Sequence, residues 1–291
     1  MTAIARQPAA LRWRPSRPSL KATRLVVSAV IFLAIVAVAA LAPVVSPYDP
    51  TRIDLSNPLV APQWFGGGHV LGTDQIGRDL LSRMIYGIKN SLVIGIVVVM
   101  LSGVVGTVLG LVGGIVQGIT EAIIMRLVDL QMSVPGLVLV IFLAFMIGPG
   151  LWTTIIVLGV IGWVPYTRII RSEMLVVAEQ QYVLAARSVG ASPARVIFKH
   201  ALPQAVPSFI VLSTLQFGVA IVVEASVSFL GFGIQPPGSS LGLLISDGRA
   251  HMTTAPWMLF APAAVLFVLV LLVNFIGDEL NEWLDPVRRR A

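Results

Sequence analysis

Long apolar runs separated by short polar segments dominate the chain, and they predict helices that cross a membrane. The first run, residues 25–45, has about 20 residues, which is enough to span a bilayer. The later runs are residues 91–117, 119–147, 151–166, 205–230 and 257–276. A secretory signal peptide is the alternative for the first run, but its apolar part normally has only about 7–15 residues. The pattern therefore predicts an all-α integral membrane protein with about six transmembrane helices.

Glycine and proline subdivide these runs in ways that predict packing and turns. Pro135 is expected to kink the third span, and residues 148–150, Gly-Pro-Gly, predict a hairpin turn after it. In the second span Gly106, Gly110 and Gly114 recur at every fourth position, a pattern that lets two helix backbones approach closely. Packing within the helix core is the favoured meaning, and a dimer face is the alternative.

The segment 46–90 is polar and rich in proline and glycine, and it separates the first two spans. Apolar residues in its second half fall near helical spacing, which predicts an amphipathic helix. These residues are Leu80, Leu81, Met84, Ile85 and Ile88. We expect this helix to lie at the membrane surface before the chain enters the second span.

The longest polar passage in the second half of the chain is residues 182–203. Gly190 stands where a helix C-terminus takes a left-handed glycine. Ser192 and Pro193 then form an N-cap and first-residue pair that starts a new helix, and Pro203 is expected to limit it. The pattern predicts a helix, a tight turn and a second short helix. Residue types alone leave open an ordinary loop and a docking element for another protein.

Charge sets the expected orientation of these elements. Only 12% of the residues are charged and the isoelectric point is about 10.3, whereas soluble domains have roughly 25% charged residues. If the N-terminus is cytoplasmic, the cytoplasmic side holds fifteen Lys and Arg and the outer side five. Cytoplasmic segments carry such an excess. Both termini are therefore predicted to be cytoplasmic, as tails 1–24 and 280–291, and so is the loop 172–204.

The sequence lacks the motifs of enzyme chemistry. No lysine stands in a GxxxxGK[ST] phosphate-binding loop, there is no cysteine, and no histidine pair has metal-ligand spacing. His69, His200 and His251 are far apart in the sequence. We therefore expect no catalytic residue, no metal and no cofactor in this chain, and any ATP hydrolysis must occur in a partner.

Three polar residues in the apolar runs are candidates for a substrate path: Gln216, Glu224 and Asp129. A carboxylate at membrane depth is costly and usually faces a bundle interior or an aqueous cavity. Glu224 could line a path, or it could be a structural acid hydrogen-bonded to Ser226, Ser228 or a neighbouring helix. Gln216 could equally join two helices.

Residues 182–203 resemble the EAA loop of permease subunits of binding-protein-dependent ABC importers. Ala185 and Ala186 occupy the alanine positions and Gly190 the glycine, while Leu184 replaces the glutamate and His200 replaces a common isoleucine. The resemblance implies that this loop couples to an ATPase. The implied coupling residues are Leu184, Ala185, Ala186, Arg187, Gly190, Ala191, Ser192, Arg195, Leu202 and Pro203.

Three further blocks resemble the C-type permease of dipeptide, oligopeptide and nickel importers. One is Leu71-Gly72-Thr73-Asp74 with Gly77-Arg78-Asp79, Ser82 and Arg83 after it. The second is Glu224-Ala225 followed by Ser228-Phe229-Leu230-Gly231-Phe232-Gly233. The third runs from Asn274 to Pro286. The four blocks occur in order along the chain, and the resemblance extends over nearly the whole chain after Arg24.

The resemblance implies a type I ABC importer permease fold in the bacterial inner membrane. It implies a second homologous permease, one or two ATPase subunits and an external peptide-binding protein as partners, and no nucleic acid. Peptides are the implied cargo, and nickel chelates or other small solutes are the alternative within the family. A proton-driven secondary transporter with Glu224 as carrier is the alternative outside it, although internal inverted repeats, which would favour it, are not evident.

Overall fold

The computed structural model describes residues 20–63 and 68–284, and every named element in these residues is helical. The predicted tails lie largely outside the described residues. The helices are α1 (Leu20–Ala40), α2 (Ala42–Val45), α3 (Leu80–Val116), α4 (Gly118–Met132), α5 (Gly136–Ile147), α6 (Leu151–Ile161), α7 (Trp163–Ala178), α8 (Gln181–Ser188), α9 (Pro193–Val196), α10 (Leu202–Phe229), α11 (Leu241–Arg249) and α12 (Trp257–Leu284). The all-α prediction is confirmed.

Within the described residues, four helical stretches are long and apolar enough to cross a membrane: Leu80–Val116, Leu151–Ala178, Pro193–Phe229 and Trp257–Glu282. Helices α4 and α5 form a fifth, broken candidate with an 85° bend at the Pro135 region. Proline removes a backbone donor and clashes with the preceding turn, which explains the break. Helix α1 has 21 residues and is therefore about 31 Å long, close to the thickness of the bilayer core.

The amphipathic helix predicted in segment 46–90 is the first part of α3 and is continuous with the predicted second span. The helix begins at Leu80, with the Asp79 side chain accepting a hydrogen bond from the Ser82 amide at 2.7 Å. Leu80 and Met84 are buried against Leu244 of α11. Protein covers this part of the apolar face, and the helix continues without interruption to Val116.

Glycines of α3 lie directly against α7. A Cβ added at Gly110 would lie 2.8 Å from the Ile170 Cβ and 3.0 Å from the Thr167 carbonyl oxygen. At Gly106 it would collide with the Trp163 carbonyl oxygen, and at Gly114 with the Met174 Cβ. The repeated glycines therefore serve packing within the chain, as favoured from the sequence.

Helices α6 and α7 together form the predicted fourth span. This span was expected to end near residue 166, but α7 continues to Ala178. Its last turns bury Ile170, Met174 and Val177 against the end of α3 and the loop that follows. This extension brings α7 directly to the predicted coupling loop.

Candidate functional site

The predicted coupling loop begins with α8, which ends in a complete Schellman motif. The Gly190 amide donates to the Arg187 carbonyl at 3.0 Å, and the Ala191 amide donates to the Ala186 carbonyl at 3.0 Å. Gly190 has φ +85°, a conformation that glycine adopts without the steric penalty of a Cβ. The turn is therefore fixed by backbone hydrogen bonds rather than by side chains.

The chain returns to helix immediately after this turn. The Ser192 side chain accepts a hydrogen bond from the Arg195 amide at 3.4 Å, and Pro193 is the first helical residue. Contrary to the prediction, the helical stretch that begins at Pro193 is not limited by Pro203 but continues to Phe229. A π-helical turn, Ile197–Ala201, joins α9 to α10, in whose first turn Pro203 is accommodated. Proline is tolerated there because its missing N–H matters least at the start of a helix.

The loop is anchored to the ends of α3 and α7. Val183, Val196 and Ala201 are completely buried in one apolar cluster with residues of both helices. The Arg187 side chain donates from Nη2 to the Ile115 carbonyl oxygen at the end of α3, at 2.8 Å. A displacement of the loop would therefore displace α3 and α7 with it, because a closely packed core transmits strain.

Large apolar side chains are also exposed along the loop. Leu184 is 49% exposed, Val189 86% and Phe198 71%. Exposed apolar side chains suit contact with another protein or with the membrane. Leu184 occupies the position at which the family motif carries glutamate, and its side chain is accessible for such a contact.

The structure brings all ten predicted coupling residues together in this loop. Three of them are half-buried, namely Ala186, Ala191 and Leu202. The other seven are exposed: Leu184, Ala185, Arg187, Gly190, Ser192, Arg195 and Pro203. Their role in coupling stays a prediction, since the geometry gives their position and accessibility alone.

The three predicted path residues lie in three different environments. Gln216 of α10 is half-buried and lines a cavity of about 240 Å³ between α3, α5, α6, α7 and α10. Glu224 lies two turns further along α10 and is completely buried. Asp129 of α4 is exposed. The structure does not join the three into one site.

The surroundings of Glu224 match the second of its two predicted roles, a structural acid held by hydrogen bonds. Its carboxylate accepts hydrogen bonds from Ser228 Oγ at 2.8 Å and from Ser91 Oγ of α3 at 2.9 Å. A buried carboxylate needs such partners, because burial without hydrogen bonds is strongly unfavourable. Glu224 thus ties α10 to α3, through a serine 133 positions away in the sequence.

A buried cluster of ion pairs at the start of α3 was not predicted from the sequence. Asp74 accepts hydrogen bonds from Arg78 Nε at 2.7 Å and from Arg83 Nη1 at 2.6 Å. The same Arg83 nitrogen lies 3.5 Å from Asp247 of α11. Arg83 and Asp74 are completely buried. Partial burial raises the pKa of the Asp247 carboxyl, and the nearby Arg83 opposes this shift.

Helix α11 is held between this cluster and the neighbouring spans. Its N-cap Ser240 accepts a hydrogen bond from the Leu243 amide at 3.2 Å, and Asn90 of α3 donates to the Ser239 carbonyl at 2.8 Å. A Cβ added at Gly87 of α3 would make a tight contact of 3.3 Å with the Leu241 nitrogen. An ion pair, a hydrogen bond and close backbone packing therefore join α3 to α11 and its N-terminal end. In the sequence, the four-residue spacing of Asp74 and Arg78 was the local signal for one ion pair of the buried cluster.

Two family models match this chain. Residues 104–290 match the binding-protein-dependent transport system inner membrane component. Residues 21–62 match the N-terminal transmembrane domain of oligopeptide transport permease C. The first match covers α4 to α12 and includes the whole coupling loop, and the second covers α1, α2 and part of the polar segment that follows.

Curated relatives match nearly end to end. The di/tripeptide transport system permease protein DppC of Pseudomonas aeruginosa is 37% identical, over 89% of this chain and 86% of its own. The oligopeptide transport system permease protein OppC of Bacillus subtilis is 36% identical, over 96% of this chain and 90% of its own. The dipeptide transport system permease protein DppC of Haemophilus influenzae is 37% identical, over 88% of each.

A solved structure shares the fold at low sequence identity. An inward-facing conformation of the MetNI methionine ABC transporter aligns with a TM-score of 0.58 and 19% identity, over 71% of this chain and 98% of the other. The type I permease fold and the resemblance to C-type permeases are both confirmed. This chain belongs to the family of binding-protein-dependent transport system inner membrane components.

Proposed function

We propose that this chain is a transmembrane permease subunit of an ATP-driven importer that takes up di- or oligopeptides. The observation that carries the cargo assignment is its similarity, over most of both chains, to permeases named for dipeptide, di/tripeptide and oligopeptide transport. Such a subunit resides in the bacterial inner membrane. Both termini lie in the cytoplasm, an orientation supported by the excess of Lys and Arg in the segments that it places on the cytoplasmic side.

The proposed complex contains a second homologous permease, one or two ATPase subunits and an external peptide-binding protein. The translocation path lies between the two permeases. ATP hydrolysis belongs to the ATPase subunits, because this chain has no phosphate-binding loop. The coupling loop, residues 182–203, docks on an ATPase subunit through its exposed face and passes movement to α3 and α7 as a rigid-body shift.

Uptake by the reconstituted complex tests the cargo. The complex with its cognate binding protein is placed in proteoliposomes and offered labelled di-, tri- and pentapeptides and a nickel chelate. Peptide uptake that needs ATP is the expected result. Uptake of the nickel chelate alone would contradict the peptide assignment. Uptake that survives ATPase inactivation but stops when the proton gradient collapses would contradict the importer.

A matched pair of glycines tests the coupling role. Gly190 and Gly231 have nearly equal φ, +85° and +87°, each donates its amide to a carbonyl three residues earlier at 3.0–3.1 Å, and neither has an atom near its Cβ position. Alanine at either site adds about 1–2 kcal/mol of backbone strain. We expect G190A to reduce peptide uptake per ATP hydrolysed, and G231A to leave this ratio unchanged.

The ratio separates coupling from stability. Both variants should melt at similarly reduced temperatures, since the local strain is the same. If G190A and G231A lowered uptake per ATP equally, the loop would have no special place in coupling, and the docking role of residues 182–203 would be wrong.

A further inference from the structure

A long apolar groove runs along the outside of the helix bundle where α1 crosses α3, α10 and α12. It encloses about 470 Å³. The side chains that line it include Phe32, Leu92, Ile96, Phe209, Phe217 and Val273. Along α10 the lining extends from Phe209 to Phe217, which is about 12 Å at the rise of an α-helix.

The groove offers an occupant no free polar group along its length. Its two polar lining residues, Ser213 and Thr214, use their hydroxyls within the protein. Ser213 Oγ accepts from Tyr166 at 3.3 Å, and Thr214 donates to the Val211 carbonyl at 2.8 Å. A hydrated solute would lose hydrogen bonds on entering, so the groove suits a hydrocarbon chain.

The dimensions favour a chain thinner than a helix. A helix with its side chains is at least about 10 Å across and would occupy roughly 900 Å³ over the same 12 Å, about twice the volume available. An extended acyl chain is thinner and fits between the four helices.

One end of the groove carries charges of both signs. The Arg24 guanidinium of α1 lies 3.8 Å from the ring centroid of Phe275, whose neighbour Ile276 lines the groove. Asp278 and Glu279 follow Phe275 at three and four positions along α12, and so share its helix face. Helix geometry therefore places both carboxylates about one turn from the ring that Arg24 covers, near the Ile276 end of the groove, and Arg24 is exposed.

We propose that this groove binds a phospholipid whose head group carries a phosphate and a primary ammonium, the phosphatidylethanolamine class. One acyl chain fills the apolar groove, the phosphate pairs with Arg24, and the ammonium pairs with Asp278 and Glu279. An anionic head group would satisfy Arg24 but would face two carboxylates of its own charge sign. The lipid then fastens α1 to the remaining spans at the leaflet on the N-terminal side.

Competition among lipids of identical acyl chains tests this assignment. The assembled transporter is incubated with equal amounts of phosphatidylethanolamine, phosphatidylglycerol and phosphatidylcholine, and the retained lipid is measured by native mass spectrometry. We expect phosphatidylethanolamine to be retained in preference to both others. R24A should reduce its retention about fivefold, the effect of one interfacial charge. I96W, which places bulk in the groove, should reduce it as well.

The control is R52A, since Arg52 is an exposed arginine outside the groove. It should retain the lipid as the unmodified chain does. Equal retention of all three lipids would indicate ordinary boundary lipid and overturn the proposal. So would preferential retention of phosphatidylglycerol, or cross-links that place a helix of the second permease in the groove. Size-exclusion elution of each variant shows that loss of lipid does not come from loss of the fold.

Discussion

The close approach of α3 and α7 yields a sharp prediction for two nearby glycines. A Cβ at Gly110 would lie 2.8 Å from the Ile170 Cβ and 3.0 Å from the Thr167 carbonyl oxygen. A Cβ at Gly113 would lie 3.7 Å from its nearest neighbour, Ile124 Cδ1, an ordinary contact. Both glycines are buried in the same helix. G110A and G113A therefore add the same methyl group to different amounts of space.

The magnitude follows from the overlap. Carbon atoms pack at about 3.5–4.0 Å, so G110A intrudes by about 0.7 Å or more, and backbone of α7 stands in the way. Overpacking of this kind costs about 1–3 kcal/mol. Alanine also stabilises a helix relative to glycine by about 1 kcal/mol, but this gain is common to both variants. The difference between G110A and G113A thus isolates the clash.

Thermal unfolding of the purified chain in detergent, followed by tryptophan fluorescence, measures this difference. At about 2–4 °C per kcal/mol for a chain of this general size, G110A should melt roughly 2–12 °C below G113A. G113A should match or exceed the unmodified chain. If G110A and G113A melted together, the tight contact of α3 with α7 would not exist in solution, and the glycine spacing would need another explanation.

Two predictions concern the polar segment 46–90. Replacing Arg83 by leucine should destabilise the chain by about 3–5 kcal/mol, because Asp74 stays buried with one of its partners removed; thermal unfolding measures the loss. Hydrogen bonds from Ser56 and Asn57 lower the pKa of Asp54 from 3.8 to about 2. The advantage of the unmodified chain over D54N should be complete above the unfolded pKa of about 4 and lost as the pH falls through about 2, measured as the difference in melting temperature.

Each of these two has its own control. Arg52, an exposed arginine of the same segment, should tolerate leucine with a change within about 0.5 kcal/mol, and an equal loss for both arginines would refute the special position of Arg83. For Asp54, a gap between D54N and the unmodified chain that stays constant from pH 5 to pH 2 would show that its hydrogen bonds do not favour the carboxylate.

Local features of the sequence were enough to predict the spans, the break at Pro135 and the turn at Gly190. Each depends on residues within a few positions: an apolar run, a proline without its N–H, a glycine free of a Cβ. The boundaries were less predictable. Whether Leu80 starts a surface helix or the second span depends on whether Leu244 covers its apolar side, and Leu244 is far away in the sequence.

The sequence by itself thus determined the membrane class, the helical order and a loop whose glycine and serine fix a helix–turn–helix. Tertiary structure alone decided which surfaces meet. It set the repeated glycines against α7, placed Ser91 within hydrogen-bond distance of Glu224, and brought Arg83 beside Asp247 across 164 positions. Helix caps and the backbone hydrogen bonds of helices and turns join residues close in sequence, so they can be predicted from the linear chain. Packing and ion pairing join residues distant in sequence, so they become visible only when the chain is folded.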